Sequence, residues 1–129
     1  MTHDPNETEV DYNGLLQANL DRVFNERDAE RRRAAIAELY EPEAVLYEPQ
    51  TEATGHTAIN AAVETLLARL PADFVFTVTS PAVGHHGVGR LRWNGGPRNG
   101  PAVVAGTDVA LIGNVRIRAL YVLLDGGKA

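Results

Sequence analysis

The chain has no cysteine, one lysine and one serine among its 129 residues. The first absence excludes a disulfide scaffold, a thiol nucleophile and a thiolate metal site. Ser80 stands outside any Gly-x-Ser-x-Gly elbow, which argues against a serine triad. Concentrated basic charge is also missing. Twelve Lys and Arg against 17 Asp and Glu leave a net charge of −5. The one arginine run, Arg31-Arg32-Arg33, is interleaved with Asp28, Glu30 and Glu38, reads as a solvated helix face, and gives no ground for a nucleic-acid partner. The longest apolar run, Ala119 to Leu124, is far shorter than the ~20 residues a bilayer span takes. The polar start, Met1-Thr2-His3-Asp4-Pro5, is unlike a secretory signal, so a cytoplasmic location away from membranes is the default expectation. There is no Gly-rich phosphate loop and no His-x-His spacing, so neither cofactor nor metal is expected.

What remains is one domain's worth of ordinary globular sequence. Residues 1–10 are expected to be a mobile acidic tail, 11–125 a single domain, and 126–129 a C-terminal tail. From Tyr12, apolar residues recur at helical spacing (Leu15, Leu16, Leu20, Val23, Phe24), with Asp11 as a plausible N-cap. A second helix is expected over 28–40, stopped by Glu41-Pro42. A short strand over 44–47 ends at Glu48-Pro49. Ile59, Ala62, Val63, Leu66, Leu67 and Leu70 mark one stripe of a third helix, expected to face the sheet. Strand patterns follow over 74–79, 84–93, 103–112 and 115–124, the last two joined by a Gly113-Asn114 hairpin signal. Helices segregated on one face of an antiparallel sheet give an α+β domain.

Asp108 is the only acidic residue between Asp73 and Asp125, in an otherwise fairly apolar strand. It either faces outward to pair with Arg90, Arg92, Arg116 or Arg118, or faces a pocket, where burial would raise its pKa. Glu48 reads by itself as a turn residue. Paired with Asp108 across a cavity, it could divide acid and base roles with it. His85 and His86, if both lie in a strand, point to opposite faces and cannot share a metal, though one of them could be a pocket group. Arg90 and Arg92 share one strand face; Leu91 and Trp93 share the other.

The element order resembles the cone-shaped α+β domains related to nuclear transport factor two and to SnoaL-type polyketide cyclases. The stretches that carry it run over about residues 10 to 125: Phe24-Asn25-Glu26-Arg27-Asp28; Leu39-Tyr40-Glu41-Pro42-Glu43-Ala44-Val45-Leu46-Tyr47-Glu48-Pro49; Thr54-Gly55-His56-Thr57-Ala58-Ile59; His85-His86 through Arg90-Leu91-Arg92-Trp93; and Gly106-Thr107-Asp108-Val109. The resemblance implies three N-terminal helices packed on a curved, mostly antiparallel sheet around an internal pocket. It also implies a homodimer joined through the outer sheet face, with Arg90 or Arg92 at the interface. Among the ketosteroid isomerases of that family, the general base falls at Glu48 and the protonated donor at Asp108, while the oxyanion tyrosine falls near Leu20, a departure. The epoxide hydrolases' Asp-Arg-Asp arrangement is not recognisable. The implied function is cofactor-free proton transfer on an apolar or polyketide-like carbonyl compound. Glu48 would be the base, Asp108 the donor and His86 an auxiliary group, with Tyr47, Leu20, Trp93, Tyr121 and Leu123 as pocket walls. A non-catalytic protein binding a small apolar organic ligand, or a dimeric scaffold, would use the same fold.

Overall fold

The computed structural model of the chain describes residues 9–126, and the two expected tails lie outside it except for their inner ends. Helix α1 (Tyr12–Asn19) starts where the Asp11 carboxylate accepts the Gly14 N–H at 2.9 Å, so the expected cap is present. It runs without a break into a π-helical turn, Leu20–Phe24. Asn25 closes that turn. Its side-chain amide donates to the Phe76 carbonyl and accepts the Phe76 N–H, both at 2.8 Å, which fixes the helix end to a strand far away in sequence. Helix α2 (Ala29–Leu39) is capped by Asp28, which accepts the N–H groups of Glu30 and Arg31. Helix α3 (His56–Ala68) follows Gly55, whose φ of 89° suits a residue without a Cβ.

Seven strands make one curved sheet: β1 (Tyr40–Glu48), β2 (Thr51–Thr54), β3 (Phe74–Val78), β4 (Val83–His85), β5 (Val88–Pro97), β6 (Val104–Gly113) and β7 (Arg116–Leu124). The spatial order is β2-β1-β7-β6-β5-β3, with β4 also on β5. Among the described residues only the β1–β7 pairing is parallel. The three helices cover the inner face, where Leu16, Ile36, Leu46, Ile59, Leu91 and Leu120 are fully enclosed. No helix among the described residues is long and apolar enough to cross a membrane.

Four local expectations are corrected. Strand β1 begins at Tyr40, not Ala44, because a register shift between Tyr40 and Val45 accommodates Pro42, which has no N–H to give a ladder. The two carbonyls near that bulge, of Tyr40 and Glu41, lie 3.2 and 2.9 Å from His56 Nε2, which must therefore carry the proton. The acidic turn after Glu48 leads into an extra strand, β2. His86 and Gly87, with φ of 51° and 82°, form a hairpin turn that splits the run expected over 84–93. Arg32 is not solvated: its side chain is fully buried between α2 and α3, bonded to Asn60 Oδ1, the Glu26 carbonyl and Glu64. Leu66 is only half-buried; Ile59, Val63 and Leu67 are the enclosed positions of α3.

The β6–β7 hairpin is present, but its turn residues are Asn114 and Val115, at φ of 52° and 55°. A β-branched residue is strained in that region. Val115→Gly should therefore raise stability by about 1 kcal/mol, read as a higher denaturant midpoint. An unchanged or lower midpoint would show that the turn carries no such strain.

Candidate active site

Asp108 sits in the middle of β6 on the inner face, 3 % exposed. Its Oδ1 accepts the indole N–H of Trp93, on β5, at 2.9 Å. That reach depends on Gly106. It pairs with Trp93 across the two strands, and a Cβ there would collide with the indole ring. The Gly-x-Asp sequence thus has a mechanical meaning: glycine lets the indole lie across β6 and donate to the carboxyl two residues on. Burial pushes the Asp108 carboxyl up to about 7, against the opposing effect of the Trp93 hydrogen bond. The outward, arginine-paired alternative is thereby removed.

Trp93 is held edge-on by Phe76 at 5.3 Å, and Phe76 in turn meets Phe74 at 5.2 Å and Phe24 at 6.4 Å. These rings form one wall of a cavity of about 1210 Å³ that opens between α3 and β2. The π-helical turn contributes Leu20 and Phe24, α3 contributes Ala58, Ala62 and Leu66, and β7 contributes Val122 and Leu124.

Glu48 also lines the cavity, at the end of β1. Burial raises its pKa; a Thr51 hydroxyl donating at 3.3 Å and the Arg69 charge pull the other way. The strand register relates the two acids. Asp108 is opposite Val122, and Tyr47 is opposite Tyr121, so Glu48 falls beside Val122 one residue further on. The carboxylates therefore flank Val122 from neighbouring strands on either side, their backbones two strand spacings or roughly 10 Å apart. One is enclosed at depth and the other stands at the mouth.

A second buried polar pair lies within electrostatic reach of Asp108. Tyr40, fully buried, donates its hydroxyl to Asn19 Oδ1 at 2.6 Å. Its phenol is held well above the ordinary range, by burial first and then by the Asp108 charge. Asn19 Nδ2 is buried and has no hydrogen-bond partner among the described residues.

Of the residues read from sequence, Asp108, Glu48, Leu20, Trp93 and Leu123 line the cavity, and Tyr47, Tyr121 and His86 do not. Tyr47 alternates outward from Leu46 and Glu48. It stacks on Tyr121 at 4.6 Å across the parallel β1–β7 pair, on the outer sheet face. His86 is an exposed turn residue whose Nδ1 lies 2.9 Å from that of His85, so the two rings meet instead of pointing apart. Among the described residues no group of three or more His, Asp or Glu is placed to hold a metal. Phe24, Phe74, Phe76 and Arg69 were missed as wall residues. The alternation of Phe74 and Phe76 marked an inner face but not that the face borders a cavity.

Residues 17–119 match the family model described as SnoaL-like domain. No curated protein matches the chain. A crystal structure of a provisionally assigned isomerase of the SnoaL-like family from Agrobacterium tumefaciens superposes with a TM-score of 0.82 at 27 % identity, over 89 % of this chain and 97 % of that one. A provisionally assigned polyketide cyclase from Sinorhizobium meliloti gives 0.65 at 19 %, over 84 % and 93 %. A provisionally assigned ketosteroid isomerase from Kribbella flavida gives 0.67 at 15 %, over 92 % and 80 %. The last two likenesses concern the fold alone.

Proposed function

The chain belongs to the SnoaL-like domain family, and from that membership and the cavity we propose that it catalyses cofactor-free proton transfer on an apolar carbonyl compound, as in isomerisation or cyclisation. The observation that carries this reading is the pair of raised-pKa carboxyl groups, set at different depths on one face of one apolar cavity. Glu48, reached by solvent, is the base. It takes a proton from the carbon beside the carbonyl, and the electron pair moves onto the carbonyl oxygen. Asp108, protonated and held by Trp93, donates a hydrogen bond to that oxygen as charge develops. Return of the proton to another carbon completes an isomerisation with no net oxidation. Leu20 supplies no donor and the Tyr40 hydroxyl is committed to Asn19 outside the cavity lining, so Asp108 carries the oxyanion.

The test is deuterium incorporation into 2-tetralone in D2O, followed by proton NMR. The protein should accelerate exchange at the carbons flanking the carbonyl, and Glu48→Gln should lower the acceleration by about 10²-fold or more. Equal rates for wild type and variant would remove the mechanism. Leu20 also favours a second reading, a binding protein without turnover. It predicts quenching of Trp93 fluorescence by apolar ligands with no exchange at all.

The outer sheet face supports a homodimer as part of the same proposal. Val83 and Val88 are exposed there by 55 % and 45 %, beside Arg90 and the Tyr47–Tyr121 stack. Apolar patches of that kind on a sheet face mark contact surfaces. Sedimentation at micromolar concentration should give a dimer, and Tyr121→Glu a monomer. A monomeric wild type would end the claim.

A further inference from the structure

Eleven arginines are spread over the chain, and most that the structure describes have a partner. Arg22 pairs with Glu38, Arg31 with Glu26, Arg33 with Glu30, Arg92 with Asp125 and Arg118 with Glu41. Arg32 is buried in its own network, and Arg27 donates to the carbonyls of Leu67 and Pro71 at the end of α3. Arg69, Arg90, Arg98 and Arg116 make no side-chain hydrogen bond or ion pair among the described residues. Of these four, only Arg69 lines the cavity, and among the described residues it is the sole basic one that does so. Its place at the C-cap of α3 suits the helix dipole, but its side chain bonds none of the terminal carbonyls; Arg27 does that.

The mouth is polarised around it. At the C-terminal end of α3 stand Thr65 and, one turn on, Arg69; Glu48 and Glu52 come from β1 and β2, and the Arg69 charge reaches Glu48 without forming an ion pair. An anionic group entering from the strand side meets two carboxylates, and one entering along α3 meets a guanidinium and a hydroxyl. We infer that Arg69 anchors a carboxylate on the substrate, so that the ligand is an amphiphilic acid: an apolar body enclosed against the aromatic wall and an acidic head held at the mouth. This rests on the proposed function and adds its substrate class and orientation. With the head at Arg69, the far end of the molecule is directed toward Asp108, where a carbonyl is required. The match of guanidinium to carboxylate is also geometric, since two parallel N–H groups meet two oxygens.

Trp93 is the only tryptophan and lines the cavity, so its fluorescence reports occupancy directly. Cyclohexylbutyrate and its primary amide, both transparent at the excitation wavelength, differ in the charge of the head. At low salt the acid should bind wild type about 10-fold more tightly than the amide, and 1 M salt should erase most of the difference. In Arg69→Gln the two affinities should fall within about twofold of each other, with that of the amide unchanged. Arg116→Gln, which alters net charge equally, should keep the preference. Binding of both probes to wild type without preference, or a preference that survives in Arg69→Gln, would overturn the anchor while leaving the cavity reading intact. Binding of neither would overturn both.

Discussion

Asp108→Asn should lower carbonyl-directed proton transfer by about 10²-fold and, at the same time, make the protein more stable above neutral pH. The two effects have one origin. Burial favours the neutral acid, and the folded-state pKa is raised from 3.8 to about 7. Between those values the folded chain holds a proton that the unfolded chain has released, so stability falls as pH rises through the interval. At about 1.4 kcal/mol for each unit, the loss across the interval is on the order of 4 kcal/mol. It is absent near pH 4 and complete above about pH 8. Asparagine is neutral throughout, keeps an oxygen for the Trp93 N–H and has nearly the same shape. The variant should therefore match wild type near pH 4 and exceed it at pH 8. Denaturant melts at the two pH values measure this. A variant less stable than wild type at pH 8 would mean that Asp108 is an ionised, paired carboxylate, which contradicts its role as donor. Activity supplies the second readout. Turnover needs Glu48 ionised and Asp108 protonated, so the rate should fall as pH passes upward through about 7, with the rising limb set by a base whose own pKa is raised from 4.5 by burial.

The second large effect concerns stability alone. Arg32→Ala should cost about 2–5 kcal/mol, the range for truncating a large, fully buried side chain to alanine. The guanidinium is fully enclosed and joins α2 to Asn60 and Glu64 of α3 while also bonding the Glu26 carbonyl. Alanine leaves a cavity and removes three hydrogen bonds, two of them to partly buried acceptors and one to the exposed Glu64 carboxylate. Arg32→Lys should lose part of that energy, because one ammonium cannot reach three acceptors fixed by a planar fork. Chemical denaturation measures both. A loss below about 0.5 kcal/mol for the alanine variant would place Arg32 with ordinary surface residues. Because α3 forms one side of the cavity mouth, the same variant should also weaken ligand binding at Trp93 before global unfolding is complete.

The fold was legible because its signals are local. The cap Asp11, the apolar stripe of α3, the alternation around Phe74 and Phe76, and the glycine before α3 each act within a few residues, and periodicity translates directly into which face is buried. The inward position of Asp108 was open from composition, and the structure settled it. A lone carboxylate among apolar neighbours has two outcomes, and the choice depends on the indole brought to it from β5 through the space left by Gly106. The sequence went astray where a single residue shifted the phase of an element. The left-handed His86 ended a strand and turned both histidines to the surface. Alternation along β1 carried Tyr47 outward to stack on Tyr121, although Glu48 beside it faces in. Arg32 was misread because the charges next to it along the helix suggested water, whereas its partners lie on α3, about thirty residues away in sequence. Sequence by itself determined the three helices, the order of the strands apart from β2 and the division of β4 from β5, and the two carboxylates worth pairing. Tertiary structure alone decided that Glu48 and Asp108 flank one strand of one cavity and that Arg69 stands unpaired at its mouth. Those relations join β1, β6 and α3 through long-range packing, and no local pattern along the chain encodes the distance between them.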